Sequence, residues 1–513
     1  MLAHKWRILF ALMLLSVLLT TGQDRPLFEA EVGSSRLQQV LATGPDDAIH
    51  KVWVHFEPRV LSGAELEVAL TLAEAELAPR AARRRAKMHA PGERLVEVRD
   101  LPLNPDYLQA CQATGAQLQH QSRWLNAASF RATPTEVARL TRLPGVRRVD
   151  LVAGMQRAAV PTPVGKPVPL ASRPGAQATQ STKSTKTTTI DYGNNLDAMV
   201  QANVVAAHDL GLSGQGVLVC MLDTGFRTTH EALAHIPVLA EWDFVNNDGT
   251  VDNEGLDPSS ANSHGTMTLS TVAGHMPGQL VAPAYAASVV LGKTEDVAVE
   301  VPLEEDNWVA GLEWGEALGA DIISSSLGYV DWYVFADLDG NTAVTTIAAD
   351  LAAARGVIVV NSAGNERGTS GLLLAPSDGD SVITVGAVDN ADSTSWFSSP
   401  GPTADGRIKP DVAALGVGNT VADPTDDLNY FGVNGTSFSC PLTSGVVALM
   451  LERVPGLTPL QVREALRMTA SHSTAPDNDQ GWGIIDAAAA ATWFAPVITH
   501  NPLPPTTNLA GPY

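Results

Sequence analysis

Cysteine is scarce in this chain, which excludes one way of stabilising a fold. The 513 residues contain three cysteines, Cys111, Cys220 and Cys440, too few for a disulfide framework and without metal-binding spacing. Cys220 lies in an apolar segment that predicts a strand, and Cys440 lies where we expect an early helical turn. We therefore expect buried free thiols.

Long apolar runs are also scarce. Residues 8–19 form a 12-residue apolar run that follows Lys5 and Arg7 and precedes three small residues. A membrane span needs about 20 apolar residues, so we interpret residues 1–22 as a secretory signal peptide. No cysteine follows the run, and no later segment is long enough to span a bilayer. We expect a secreted protein, extracellular or periplasmic, with no membrane anchor.

Basic residues are nearly missing from the second part of the chain. Residues 1–190 carry 24 Lys and Arg against 16 Asp and Glu, whereas residues 191–513 carry 9 against 39. The acidic part is therefore a poor partner for nucleic acid, and we expect no nucleic-acid partner. The imbalance has two interpretations, either solubility or attraction between the two parts.

The first part resembles a small α+β unit over residues 23–155. Its predicted elements follow the order β-α-α-β-β-α-β, which approximates the ferredoxin-like pattern. In the clearest helix Thr133 is the cap, Pro134 suits the first helical position and Glu136 can complete a capping box with Thr133. Residues 156–190 are rich in Pro and then in Ser and Thr, so we predict an exposed linker that is a processing region.

The second part, residues 191–495, predicts a doubly wound α/β domain with a mostly parallel sheet. Its strand candidates are continuously apolar, as in a sheet covered on both faces. Helical segments alternate with them. The strand candidates are 216–223, 287–293, 321–328, 356–364 and 381–388, and the helix candidates are 264–273, 305–319, 342–354, 437–453 and 459–469. Residues 496–513 are a Pro-rich C-terminal tail.

Four polar residues stand where apolar strands end or helices begin, which is where sites form in parallel sheets. They are Asp223, His264, Asn365 and Ser437, in that chain order. Each alone is more often a turn or cap residue. Together they supply a hydroxyl nucleophile, a base and an orienting carboxylate. The Asn365 amide and the Ser437 backbone N–H then supply donors for a tetrahedral oxyanion.

The segments "LDTG", "SHGT", "SAGN" and "GTSFSCP" resemble the four signature blocks of the subtilisin-like serine proteases. The order Asp–His–Ser also matches that family. The resemblance implies a subtilisin-like fold, with Asp223, His264 and Ser437 as the catalytic triad and with Asn365 and Ser437 as the oxyanion hole. It implies a secreted serine endopeptidase that acts on protein and peptide substrates and needs no cofactor for its chemistry.

The resemblance also implies substrate-binding residues and an inhibitor. The implied substrate-binding residues are Ser326, Leu327, Gly328, Ser362, Ala363 and Gly364, on two sides of the pocket for the residue before the scissile bond. Residues 23–155 resemble the family's propeptide, an intramolecular inhibitor and chaperone, which implies a zymogen that removes its own propeptide.

Some features depart from the family pattern or leave alternatives open. Leu415 stands where the family usually has Pro, and Arg367 where a small residue is common. The loop 246–257 is rich in Asp and Asn; it is either solvated or a structural calcium site, although it lacks the spacing of an EF-hand loop. Asp337, Asp339 and Asn341 are a weaker candidate of the same kind. We interpret "PLEEDNW" (302–308) as a solvated helix start.

Two other functions remain compatible with the same residues. An acyltransferase or peptide cyclase would use the same acyl-enzyme with an amine acceptor. A catalytically silent binding protein would keep the scaffold without the reaction. A related carboxyl protease would have a catalytic Glu and Asp in place of the histidine. The segment "SHGT" retains the histidine and so disfavours that alternative.

Overall fold

The computed structural model describes residues 35–153, 190–255, 257–297, 305–329 and 332–495. The predicted signal peptide, the linker up to residue 189 and the C-terminal tail lie outside these residues, so those three predictions stay untested. Within the described ranges, no helix is both long and apolar enough to cross a membrane.

The first unit is a four-stranded antiparallel sheet with helices. Its strand order β2-β3-β1-β4 is the ferredoxin-like order, which confirms the predicted class. Thr133 and Glu136 form the predicted capping box. The elements are α1 Ser35–Thr43, β1 His50–Phe56, α2 Gly63–Ala75, α3 Pro79–Arg85, α4 Pro105–Gln112, β2 Gln117–Ser122, β3 Ala127–Ala132, α5 Pro134–Leu140 and β4 Val146–Leu151.

The second unit alternates strands and helices as predicted. Its elements are α6 Leu196–Gln201, α7 Val204–Asp209, β5 Leu218–Asp223, β6 Val238–Asp243, α8 Ser263–Ala273, β7 His275–Met276, β8 Leu280–Val281, β9 Ser288–Lys293, α9 Glu305–Leu318, β10 Ile322–Ser325, α10 Val344–Ala354, β11 Ile358–Ser362, β12 Ile383–Val388, β13 Val412–Leu415, β14 Val417–Ala422, β15 Tyr430–Asn434, α11 Thr436–Arg453, α12 Pro459–Thr469 and α13 Ala487–Trp493. Every strand and helix candidate named above for this unit has a counterpart here.

Seven parallel strands form the main sheet in the order β13-β12-β11-β10-β5-β9-β6. Because all seven run the same way, their carboxyl ends meet at one edge. The strands are apolar and buried because helices cover both faces: α11 packs on one side and α9 and α10 on the other.

The three cysteines are free and buried, as predicted. Burial raises the pKa of the Cys111 thiol to about 12. The Cys440 thiol, whose pKa burial also raises to about 12, points at the backbone oxygens of Ser325 and Val360 under the sheet. These thiols stay protonated and act as packing groups.

The start of α9 is buried, so its interpretation as a solvated helix start was wrong. Glu305 is 1% exposed and Asp306 is fully buried because the first unit covers them. The Trp53 indole N–H donates to Glu305 Oε1 over 3.0 Å, and Lys51 Nζ lies 2.6 Å from Asp306 Oδ1. The local sequence contains no sign of this partner, which comes from more than 170 residues away.

Opposite charges meet where the two units touch. Lys51 pairs with Asp306, Arg80 with Asp321, and Arg84 with Glu316, each time with the basic residue in the first unit. The attraction inferred from the charge imbalance is therefore present at the contact.

Candidate active site

Asp223 and His264 form a hydrogen-bonded pair at the carboxyl edge of the sheet. Asp223 ends β5 and is 1% exposed, and His264 is the second residue of α8. The His264 Nδ1 atom lies 2.7 Å from Asp223 Oδ1. The pairing leaves the other ring nitrogen, Nε2, to accept a proton from a neighbouring group.

Small and hydroxylated residues fix this pair. A Cβ at Gly265 would lie 2.1 Å from the Gly225 backbone oxygen, so only glycine lets α8 approach the end of β5 this closely. The Thr268 hydroxyl donates to Asp223 Oδ2 over 2.9 Å, and the Thr224 amide donates to Oδ1 over 2.8 Å. Sequence reasoning missed Thr268, although it lies four residues after His264 on the same helix face.

A second carboxylate also acts on His264. Burial lowers the pKa of His264, but the charge and hydrogen bond of Asp223 and the charge of Glu295 outweigh it, so the pKa is raised. Glu295 follows β9, is 1% exposed and accepts a hydrogen bond from the Tyr329 hydroxyl over 3.0 Å. Sequence reasoning missed Glu295, because its position after a strand does not reveal its proximity to His264.

Ser437 is the second residue of α11, where helix amides have no acceptor within the helix. The ring of the next residue, Phe438, lies 6.1 Å from the His264 ring, centre to centre. The start of α11, which includes Ser437, therefore lies close to His264.

Pro441 lies deeper in α11 than the first turn and removes the amide that would bond to the Ser437 carbonyl. The Ser326 hydroxyl takes its place and donates to that carbonyl over 2.8 Å. The proline is tolerated because a hydroxyl from the neighbouring segment replaces the missing bond.

The Asn365 side chain is oriented by the start of the same helix. Its Oδ1 accepts from the Thr436 amide and from the Thr436 hydroxyl, both over 3.0 Å. Because both partners are donors, the oxygen must face them and the NH₂ group faces the other way. The arrangement keeps one side-chain donor available beside the Ser437 amide.

The six residues predicted to bind substrate form two neighbouring segments, 326–328 and 362–364. Gly364 lies next to α11, since its amide donates to the Thr436 hydroxyl over 3.3 Å. The Leu374 side chain lies between the segments: a Cβ at Gly328 would be 2.4 Å from its Cβ, and one at Gly364 would be 2.6 Å from its Cγ. Sequence reasoning missed Leu374.

The two departures from the family pattern are accommodated nearby. Arg367 bonds to the Ser398 backbone oxygen and to Asp479, each over 2.7 Å. Leu415 ends β13 and is buried.

Carboxylates of the acidic loop converge with a lysine. One oxygen each from Asp243, Asp248 and Glu254 lie within 4.8 Å of one another, and such oxygens suit calcium. However, the Lys293 ammonium already lies 2.7 Å from Asp243 Oδ2 and 2.8 Å from Asp257 Oδ2. The donor set therefore fits a calcium ion only if it shares Asp243 with this ammonium.

The second acidic candidate makes local hydrogen bonds. Asp337 accepts from the Val334 amide over 3.0 Å, and Asp339 accepts from the Asn341 amide over 2.8 Å. These bonds are typical of turn residues.

Two family models match the chain. Residues 214–483 match the subtilase family, Peptidase_S8, and residues 51–163 match a peptidase S8 propeptide domain described for Bacteroidota. The first match covers more than half of the chain, and the second overlaps the linker.

Curated relatives and solved structures agree with these matches. Subtilisin DY of Bacillus licheniformis is 33% identical over 311 residues, which are 59% of this chain and 99% of that protein. Subtilisin of Bacillus pumilus is 31% identical over 57% of this chain and 96% of its own length. Fervidolysin of Fervidobacterium pennivorans, a keratinolytic enzyme related to subtilisin, is similar in fold: the TM-score is 0.62 at 20% identity. That match covers 91% of this chain and 63% of the fervidolysin chain.

Replacing Glu295 with Gln should lower the pKa of His264, because the substitution removes a negative charge that stabilises the imidazolium. NMR titration of the His264 ring measures this directly. The matched control is Glu241→Gln, an exposed glutamate on β6. Equal His264 pKa values in the two variants would contradict this role for Glu295.

Proposed function

Because the chain belongs to the subtilase family of serine-type endopeptidases, we propose that Asp223, His264 and Ser437 are its catalytic triad and that it hydrolyses peptide bonds through an acyl-enzyme. The observation that carries the proposal is the 2.7 Å bond between His264 and the buried Asp223, beside the helix whose second residue is Ser437.

Each residue has a chemical role in this proposal. The Ser437 hydroxyl attacks the scissile carbonyl while His264 Nε2 takes its proton. Asp223 stabilises the imidazolium that forms. His264 then gives the proton to the leaving amine, and water releases the acyl group by the reverse roles. The raised pKa of His264 means that more alkaline conditions are needed to keep the base neutral than for an ordinary histidine.

The tetrahedral intermediate carries a negative charge on oxygen, which needs donors already in place. The Asn365 amide and the Ser437 backbone N–H are the proposed donors. Support comes from the two bonds that orient Asn365 and from the position of Ser437 at a helix N-terminus. Losing one such donor slows the reaction by about 10²–10³-fold, a range established with a subtilisin itself.

The first unit is the proposed inhibitor in a secreted zymogen. The match of residues 51–163 to a propeptide domain supports this role. The described part of that unit ends at Ala153, which is fully buried and donates its amide to Glu305 over 3.0 Å. Cleavage by Ser437 within the linker, residues 156–190, would break the covalent connection between the two units.

Replacing Ser437 with Ala should leave the chain as an uncut precursor, because the nucleophile for linker cleavage is lost. Mass spectrometry of the purified protein measures this. Ser444→Ala, in the same helix, is the matched control and should mature normally. A Ser437→Ala chain that still loses its first unit without added protease would exclude self-maturation.

The substrate class follows from the pocket. We propose that Leu374 limits the residue before the scissile bond to a small side chain such as Ala or Ser. Support comes from its position between segments 326–328 and 362–364, and from its backbone bond to Ala363 over 3.2 Å. Lengthening the substrate side chain would require displacing this leucine.

Replacing Leu374 with Ala should therefore favour larger residues at that position. The ratio of kcat/KM for a Phe peptide to that for an Ala peptide should rise at least about tenfold. Leu460→Ala is the matched control, since Leu460 is an exposed leucine of α12, outside both pocket segments. An unchanged ratio in Leu374→Ala would show that another group closes the pocket.

Calcium has no step in this mechanism. A structural calcium ion in the loop 246–257 stays a prediction, and the carboxylates that would hold it are Asp248 and Glu254 of the loop with Asp243 of β6. Such an ion would brace the loop after β6 rather than take part in the hydrolysis.

A further inference from the structure

The first unit contains a long addition to its ferredoxin-like pattern. In that pattern one helix joins the first two strands, and α4 takes this place between β1 and β2. Residues 57–104, before α4, are extra, and we call them the arm. The arm contains α2, α3 and two short 3₁₀ helices, Ala86–Met88 and Val98–Asp100.

The arm binds the second unit at the edge of the sheet opposite the candidate active site. Arg80 Nη2 lies 2.5 Å from Asp321 Oδ2 and 3.1 Å from the Gly216 backbone oxygen. Asp321 immediately precedes β10, and Gly216 lies just before β5, so both mark the amino ends of strands. Asp223 and Ser326 lie at the carboxyl ends of the same two strands.

Arg84 carries the centre of this contact and is 1% exposed. Its guanidinium donates to the backbone oxygens of Glu316, Ala320 and Arg355, over 2.8–3.2 Å, and to the Glu316 carboxylate. These oxygens belong to the last turn of α9 and to the residues that follow α9 and α10. A cation there satisfies carbonyls that lack partners within the helix and opposes the negative end of the helix dipole.

A buried ion network surrounds Arg84. Arg85 binds both oxygens of Glu316, over 2.9 and 3.0 Å, and also Asp100 of the arm over 3.0 Å. In the other direction, Arg355 of the second unit donates to Asp100 and to Glu97 of the arm, both over 2.9 Å. Each unit thus supplies charges that partners from the other unit neutralise, while the Arg85–Asp100 pair lies within the arm.

Two glycines of the second unit make room for the arm backbone. A Cβ at Gly319 would lie 2.4 Å from the Arg80 Cβ, and one at Gly356 would lie 2.9 Å from the Arg84 backbone oxygen. The close contact between the arm and the second unit therefore depends on glycine at both positions.

We propose that the arm is a second anchor of the first unit, and that this anchor, rather than the contacts near the active site, determines how slowly the cleaved first unit dissociates. The proposal rests on the proposed function in one respect, the cutting of the linker. The two contact regions are separated along α9, because Glu305 and Glu316 are 11 residues apart, or about 16 Å along a helix. A first unit that loosens at the active site thus stays held by the arm.

The test uses the full chain with Ser437→Ala and one inserted recognition sequence for a site-specific protease in the linker. After the cut, dilution and size-exclusion chromatography give the lifetime of the complex. Arg84→Ala should shorten the lifetime about 100-fold or more, because it removes the buried guanidinium that donates to the backbone oxygens of Glu316, Ala320 and Arg355 in the second unit. Arg83→Ala is the matched control, because Arg83 is exposed on the same helix. The complex of this variant should have a lifetime within about twofold of that of the parent.

Equal lifetimes for Arg84→Ala and Arg83→Ala would overturn the proposal. If the uncut Arg84→Ala chain shows no cooperative unfolding transition, and so fails to fold, Arg80→Ala replaces it. Arg80 is partly exposed, and the expected shortening is about tenfold. A lifetime equal to that of Arg83→Ala would again overturn the proposal.

Peptide hydrolysis by the chain that keeps Ser437 separates the two proposals. If the chain hydrolyses no peptide but the lifetime of the complex depends on the arm, the proposed function is contradicted and the anchor proposal stands. If the chain hydrolyses peptides but the lifetime of the complex does not depend on the arm, the anchor proposal is contradicted and the proposed function stands.

Discussion

The parallel order of the seven-stranded sheet is the constraint on which the candidate site depends. It brings the carboxyl ends of β5, β9 and β10 to one edge, where Asp223, Glu295 and Ser326 lie. Helix α8 presents His264 to Asp223 only because Gly265 permits a close approach. The candidate nucleophile is the second residue of α11, where helix amides lack internal acceptors.

The opposite edge of the same sheet has a different use. There the amino ends of strands and the carboxyl ends of α9 and α10 offer carbonyls and carboxylates, which arginines of the arm satisfy. Helix α9 connects the two edges, since Glu305 at its start contacts Trp53 and Glu316 in its last turn contacts Arg84. The imbalance of charge between the two parts of the chain thus corresponds to an interface. Within the described residues the first unit contacts both edges of the sheet, and its contact with Glu305 and Asp306 lies on the carboxyl edge, where the candidate triad is also found.

Sequence patterns predicted features that depend on neighbouring residues and missed features that depend on residues far apart in the chain. Continuous apolar runs predicted β5 and β9–β12, but the edge strand β6, "VLAEWD", mixes polar and apolar residues and was missed. Residues 62–88 are rich in Ala, Glu, Leu and Arg, which indicates one helix, but Pro79 begins a second helix and so divides the range into α2 and α3. The roles of Glu316, Leu374 and Glu295 depend on partners from other elements, so no local pattern indicates them. The four signature blocks were predictable because each is a strand end or helix start with its own small residues.

The account's central claim is that the pair Asp223 and His264 activates Ser437. Reaction of the purified protein with a fluorophosphonate, followed by mass spectrometry, tests this most directly. We expect one modification, at Ser437, and its loss in His264→Ala, because the hydroxyl reacts only when a base removes its proton. Modification at another residue, or equal modification of Ser437 in His264→Ala, would contradict the claim.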